Sequence, residues 1–158
     1  MKVSVITATW NSGKTLCTTL DSVLSQSYPD IEHIIVDGGS TDNTMEIVRE
    51  YEPRYNGRLR FISEPDKGLY DAMNKGIRMS TGEVVGILNS DDFYTSSDVV
   101  EKLEKISGIT SKNGRNDAKR LNIRVVTMSN DDKPKNRKTQ RKADLRRRMV
   151  CKSLPVKE

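Results

Sequence analysis

The chain is short of the residues that most often carry chemistry on their own. Among 158 residues it has one histidine, His33, and two cysteines, Cys17 and Cys151. Two cysteines this far apart make neither a disulfide framework nor a metal-ligand spacing, and they suit a reducing cytoplasm. A lone histidine argues against a His-built metal site or a Ser-His triad within the chain. Aromatic residues are 5% of the total, too few to interleave with basic residues as a base-stacking surface for nucleic acid. Long apolar runs are missing too. The longest are Val84–Leu88, broken only by Gly86, and Ile34–Val36, far below the roughly 20 residues of a membrane span. Val3–Thr7 is too short for the core of a signal peptide, so the expected location is the cytoplasm.

What is abundant is charge, and it is unevenly placed. The net charge is +5 with a pI near 9.2, which on its face invites a polyanion as partner. Residues 1–106, however, hold 11 Lys+Arg against 17 Asp+Glu, a net −6, whereas residues 107–158 hold 16 against 5, a net +11. The basic pI belongs to the last third. That stretch has little periodicity, and only Leu121–Met128 has the pattern of a strand. Dense charge with few apolar partners cannot offset ordering entropy, so residues 107–158 are expected to be a loosely held basic tail.

Residues 1–106 alternate between two hydrophobic periods. Apolar runs at Val3–Ile6, Ile31–Val36, Leu59–Ile62 and Glu83–Leu88 predict strands. Helical spacing predicts a helix after Ser12 through Leu16, Leu20, Val23 and Leu24, and a second capped by Ser40 or Thr41 with Met45, Val48 and Tyr51. A third covers Leu69–Met79, with Tyr70, Met73 and Ile77 on one face, and a fourth covers about Ser97–Ile106. Strands buried on both faces and alternating with helices imply a mostly parallel sheet with flanking helices, an α/β fold of Rossmann-like type.

In such sheets, ligands bind beyond the carboxyl ends of the strands. Each strand here delivers a polar cluster to that edge: Thr7-Ala8-Thr9-Trp10-Asn11, Asp37-Gly38-Gly39-Ser40, Glu64-Pro65-Asp66-Lys67-Gly68 and Asn89-Ser90-Asp91-Asp92. Any one of them reads as an ordinary turn or cap; four converging together read as a site. Asp91 and Asp92 are adjacent carboxylates that repel unless a cation or donors neutralise them. Mg²⁺ or Mn²⁺ suits that need and shares its oxygen ligands with substrate phosphates. The plain alternative is that one of the two caps the next helix. Asp37 is placed to accept a nucleobase N–H or a ribose hydroxyl, and Lys67 to meet a phosphate.

Two other readings stand beside this one. Ala8, four residues and then Gly13-Lys14-Thr15 form a relaxed phosphate-binding P-loop, set between a strand and a helix as that motif requires. Trp10 and Asn11 are awkward there, and the motif leaves Asp66-Lys67-Gly68 and Asp91-Asp92 unexplained. The basic tail, alternatively, is an anchor for nucleic acid or anionic lipid, with binding that falls steeply in salt.

The clusters also resemble, in order and spacing, the family 2 glycosyltransferases with the GT-A fold. The likeness runs through Val3–Asn11, Leu20–Tyr28, Ile34–Asp42, Glu64–Gly68, Ala72–Ile77, Thr81-Gly82-Glu83 and Leu88–Asp92, about two-thirds of the chain. The resemblance implies that Thr7, Ala8, Trp10 and Asp37 hold the nucleoside of a nucleotide-diphosphate sugar, with Asp66 and Lys67 bordering the pocket. Asn89-Ser90-Asp91 takes the place of the family's D-x-D motif, Asn89 replacing the first Asp. Asp91, with Asp92, then carries the divalent metal that bridges the diphosphate. Transfer to a hydroxyl of a saccharide or lipid-linked saccharide, with inversion, follows from the same likeness. The likeness fades after about Ile106, and no general base can be identified. Residues 1–106 are thus expected to be the nucleotide-sugar-binding region, and 107–158 a degraded or frameshifted continuation. No specific nucleic-acid partner is expected, and the tail is a candidate for peripheral contact with the inner face of a membrane.

Overall fold

The computed structural model describes residues 1–111 and 125–127. The order is β1 (Val3–Thr9), α1 (Leu16–Leu24), β2 (Ile31–Asp37), α2 (Thr44–Tyr51), a 3₁₀ turn (Glu52–Tyr55), β3 (Leu59–Ser63), α3 (Leu69–Met79), β4 (Val84–Ile87), α4 (Val99–Ser111) and β5 (Val125–Thr127). The strands form one parallel sheet in the order β3-β2-β1-β4-β5. The chain winds outward from β1 through β2 to β3, then returns to the far side of β1 for β4. That reversal creates the crevice in which open α/β sheets take their ligands. Helix α4 runs past its expected end near Ile106 to Ser111, into the stretch expected to be loosely held, and β5 lies inside the Leu121–Met128 segment singled out by its pattern; residues 112–124 and 128–158 lie outside the described residues. Among the described residues, no helix is long and apolar enough to cross a membrane.

Alternation along the central strands sorts two cores. Val3, Val5, Ile31 and Ile35 face α1, α2 and the 3₁₀ turn, packing with Leu16, Leu20, Val48 and Tyr55. Ile6, Ile34, Val36 and Val85 face α3, packing with Ala72. Helix α3 turns a different face inward from the one its pattern suggests: Tyr70 is 81% exposed, and the buried positions are Ala72 and Gly76. The small residues win because the helix lies very close to the sheet. A Cβ on Gly76 would stand 2.4 Å from Ile6 Cγ2.

β1 also runs further than expected. Thr7–Thr9, read from sequence as turn, continue the strand in register with Ile35–Asp37. The β-branched side chains of Thr7 and Thr9 suit a pleated surface, and their hydroxyls find partners on β2. Thr7 Oγ1–H donates to His33 Nε2 (2.9 Å), His33 Nδ1–H to the Tyr55 oxygen (3.0 Å), and Tyr55 O–H to the Leu20 carbonyl (2.7 Å). The relay satisfies every atom with a neutral imidazole. At the amino edge, buried Glu32 accepts from Ser4 Oγ, Thr81 N and Thr81 Oγ1 and pairs with Lys2 and Arg60. Burial opposes its ionisation, but these donors outweigh it and bring its pKa down to about 2.

Two helix starts differ from their expected caps. The Ser12 hydroxyl bonds Ser90 Oγ (2.8 Å), and only its carbonyl receives the first amide of α1. Ser40 is drawn onto Asp37, and it is Asp42 Oδ1 that accepts the Thr44 amide of α2 (3.0 Å).

Two measurements probe this core. Gly76→Val should destabilise by about 1–3 kcal/mol through overpacking against Ile6, read by urea denaturation. Burial lowers the His33 pKa from 6.5 to about 3, so the unfolded chain binds the extra proton throughout that window. The stability tied to this neutral imidazole is complete above pH 6.5 and is lost as pH falls toward 3. The melting temperature should therefore drop between about pH 7 and 5, above the ordinary carboxylate range. His33→Gln should flatten that slope.

Candidate functional site

At the carboxyl edge of the sheet a cleft of about 490 Å³ opens between the loops after β1, β2, β3 and β4. Its lining is Ala8, Thr9, Trp10, Ser12, Gly38, Asp66, Gly68, Leu69, Ala72 and Ser90. Trp10 stands 69% exposed at the rim and Leu69 51% exposed opposite. Large aromatic surface is normally buried, so an exposed tryptophan beside a cavity is a natural wall for a flat ligand.

The loops that frame the cleft are tied chiefly to one another. Asp37 is fully buried at the end of β2. It accepts Thr9 Oγ1 (3.0 Å), Ser40 N (2.9 Å), Gly39 N (3.1 Å), Ser63 Oγ (2.7 Å) and the Ser40 hydroxyl. Burial raises its pKa, but the donors from Ser40, Ser63 and Thr9 prevail and hold the carboxyl below its ordinary value. Ser40 Oγ in turn accepts the Asn11 amide (2.7 Å), and Asn11 Oδ1 accepts the Thr41 amide (2.9 Å). Asn11 makes this return contact with φ at +49°, a region asparagine tolerates better than most residues. On the other side, Thr19 Oγ1 reaches the carbonyls of Ser90 (3.0 Å) and Asp92 (2.7 Å).

This wiring removes the P-loop reading. A phosphate loop must aim free amides into a cavity. Here Trp10 N donates to Ser12 Oγ, Asn11 N to Ser40 Oγ, Ser12 N to Thr44 Oγ1 and Gly13 N to Asp42 Oδ2. A Cβ on Gly13 would lie 2.0 Å from Asn43 Oδ1, so the space beside that glycine is filled by protein.

The expected site residues divide accordingly. Ala8, Trp10 and Asp66 line the cleft. Thr7 is fully buried, its hydroxyl turned to His33. Asp37 is buried beneath the loop, and Lys67 is exposed outside the lining, its amide on Asp71 Oδ2. Asn89 and Asp91 are exposed beyond β4, while Asp92 is buried with its Oδ2 accepting Asn89 Nδ2 (3.0 Å). Among the described residues, no group of three acidic, histidine or cysteine side chains is placed to hold a metal. Gly38, Gly68, Leu69 and Ser90 enter the lining without having been singled out individually. Gly38 has a readable reason: a Cβ there would be 2.7 Å from Asp66 Oδ2.

Comparison with known proteins identifies the family and the fold. The family model "Glycosyl transferase family 2" matches residues 4–143. The chain belongs to that family. A "PGL/p-HBAD biosynthesis glycosyltransferase" of Mycobacterium tuberculosis is 36% identical over 105 residues, covering 66% of this chain and 41% of that protein. An uncharacterized glycosyltransferase of the same species is 43% identical over 108 residues, covering 67% and 40%. This family 2 chain thus spans about two-fifths of the length of these curated relatives.

Among solved structures, a mannosyltransferase of Pyrobaculum calidifontis in complex with GDP-Man and Mn²⁺ superimposes with a TM-score of 0.63. It is 30% identical, over 66% of this chain and 31% of that one. Residues 1–349 of S. aureus TarS in complex with UDP-GlcNAc give 0.59 at 27% identity, over 75% and 37%. The fold of this family 2 chain is that of the GT-A glycosyltransferases.

The structural weight on Asp37 is testable. Asp37→Ala strands several donors under the loop, each costing about 1–3 kcal/mol. A loss of at least about 3 kcal/mol in urea denaturation is expected.

Proposed function

We propose that this chain binds the nucleotide-diphosphate sugar donor of a glycosyltransferase that transfers the sugar to a hydroxyl of a saccharide or lipid-linked saccharide, with inversion. The observation that carries the reading is the cleft at the reversal between β1 and β4, walled by exposed Trp10 and flanked by exposed Asp91 beside Ser90. That the mannosyltransferase and TarS neighbours were solved with GDP-Man and UDP-GlcNAc supports the donor class.

Each part of the cleft has a task in this reading. Trp10 offers its ring to a flat heterocycle, and Ala8, Gly38, Gly68 and Ala72 keep the walls low enough for it to enter. Ser90, its hydroxyl held by Ser12 Oγ (2.8 Å), lines the side toward β4, where the diphosphate would lie. Lys67 stands near enough in sequence to the Asp66 wall to lend positive charge.

The donor chemistry beyond β4 fits a divalent ion of one kind. Asp91 is an exposed carboxylate with no hydrogen bond or ion pair among the described residues, and Asp92 accepts from Asn89. One carboxylate, or two at most, is too few for a cage built wholly of protein. It is the number with which Mg²⁺ or Mn²⁺ is held when phosphates and water complete its shell. Asp91 would hold the ion, with Asp92 behind it; such an ion stabilises the charge on the departing diphosphate.

His33 is sealed in the core with both nitrogens engaged, so it does not serve as the base toward an acceptor. The net +11 of residues 107–158 suits an anionic membrane surface, where a lipid-linked acceptor would be found.

Calorimetry with nucleoside diphosphates tests the reading. Binding should require Mn²⁺ or Mg²⁺, and Asp91→Ala should weaken it at least about tenfold. Metal-independent binding that survives this change would remove Asp91 from the site.

A further inference from the structure

We propose that the base of the donor is guanine and that Asp66 selects it, an inference that rests on the nucleotide-sugar reading above. The strand order fixes which loop meets which part of the ligand. Asp91 follows β4, Trp10 follows β1, Gly38 follows β2 and Asp66 follows β3. With a diphosphate beside Asp91, the loops after β2 and β3 lie two to three strand spacings away, about 10–14 Å. That is the reach of a nucleoside from its phosphates to the far edge of its base. The base therefore ends against Gly38 and Asp66.

Of the two carboxylates at that end, Asp37 has nothing left to give. It is fully buried, and its oxygens already accept five protein donors. Asp66 is different. Its Oδ1 accepts the Gly68 amide (2.7 Å), which fixes the orientation of the side chain. Its Oδ2 receives no hydrogen bond among the described residues. Gly38 lets that carboxylate sit close against the loop after β2, since a Cβ there would stand 2.7 Å from Oδ2, and Asp66 lines the cleft from that position.

A carboxylate is an acceptor only, and a cleft wall made of one prefers an edge with adjacent donors. Guanine has that edge: N1–H and the N2 amino group side by side. Uracil offers one N–H between two carbonyl oxygens, which the carboxylate repels. Adenine and cytosine place a ring acceptor next to their amino group. Among the common bases, guanine alone meets Asp66 with two neighbouring donors.

Titration calorimetry of the full chain with Mn²⁺ and GDP, inosine diphosphate or UDP tests the proposal. GDP should bind at least about tenfold more tightly than UDP, and inosine diphosphate, which lacks the N2 amino group, should fall between them. Asp66→Asn keeps an oxygen for the Gly68 amide and turns Oδ2 into a donor. It should weaken GDP about tenfold or more while leaving UDP within about threefold. UDP binding as tightly as GDP would overturn the choice of base. A preference for GDP unchanged in Asp66→Asn would overturn the role of Asp66. Binding of none of the three would instead overturn the nucleotide-sugar reading beneath it.

Discussion

A carboxylate shut away from water needs donors to answer its charge, and Asp37 draws them from three strand ends at once. Thr9 comes from β1, Ser63 from β3, and Gly39 and Ser40 from the turn that follows β2. The bonds lock the turn in place, and Ser40 passes the constraint on to Asn11 and so to the loop that carries Trp10. The rim of the cleft is positioned in this way from beneath. Charge-assisted hydrogen bonds are stronger than neutral ones and more directional, so the arrangement favours a pre-formed pocket over one assembled around its ligand.

The same strand carries a second buried carboxylate at its other end. Glu32 gathers Ser4, Thr81, Lys2 and Arg60 at the amino edge of the sheet. β2 is therefore pinned at both ends by negative charge, with the neutral His33 relay between them on the face opposite Glu32. The apolar residues of this strand account for burial; its polar residues hold its register against β1 and β3. A slip of one residue would take Glu32 away from its donors and Asp37 away from Thr9 and Ser63 at once.

The fold was legible because its signals are local. Alternating runs such as Ile31–Val36 and helical spacing such as Leu16–Leu24 state their period within a few residues, and α3 was placed at Leu69–Met79 from that pattern. Less legible was where polar side chains point. Thr7, Thr9 and Asp37 sit in a polar cluster by sequence, yet the pleat turns them into the core. Ser12, Ser40 and Asp42 have the chemistry of caps or ligands, and each spends part of it on a partner 29 to 78 residues away. Nothing local marks such long pairings. The inward face of α3 was hidden for a related reason. Its close approach is made by Ala72 and Gly76, which leave no hydrophobic signal, while the conspicuous Tyr70 faces solvent.

That close approach has a consequence for ligand choice. Helix α3 begins at Leu69 on the cleft wall and is seated on Ile6 at Gly76, seven residues and about 10 Å further along. The helix behaves as a rigid beam seated on its two buried small residues, Ala72 and, further along, Gly76. Whatever raises the Gly76 seat tilts the beam and changes the width of the opening at the other end. The width of the opening thus depends in part on a glycine outside the cleft lining. A relative with a bulkier residue at this position would need a smaller one in place of Ile6 to keep the same aperture.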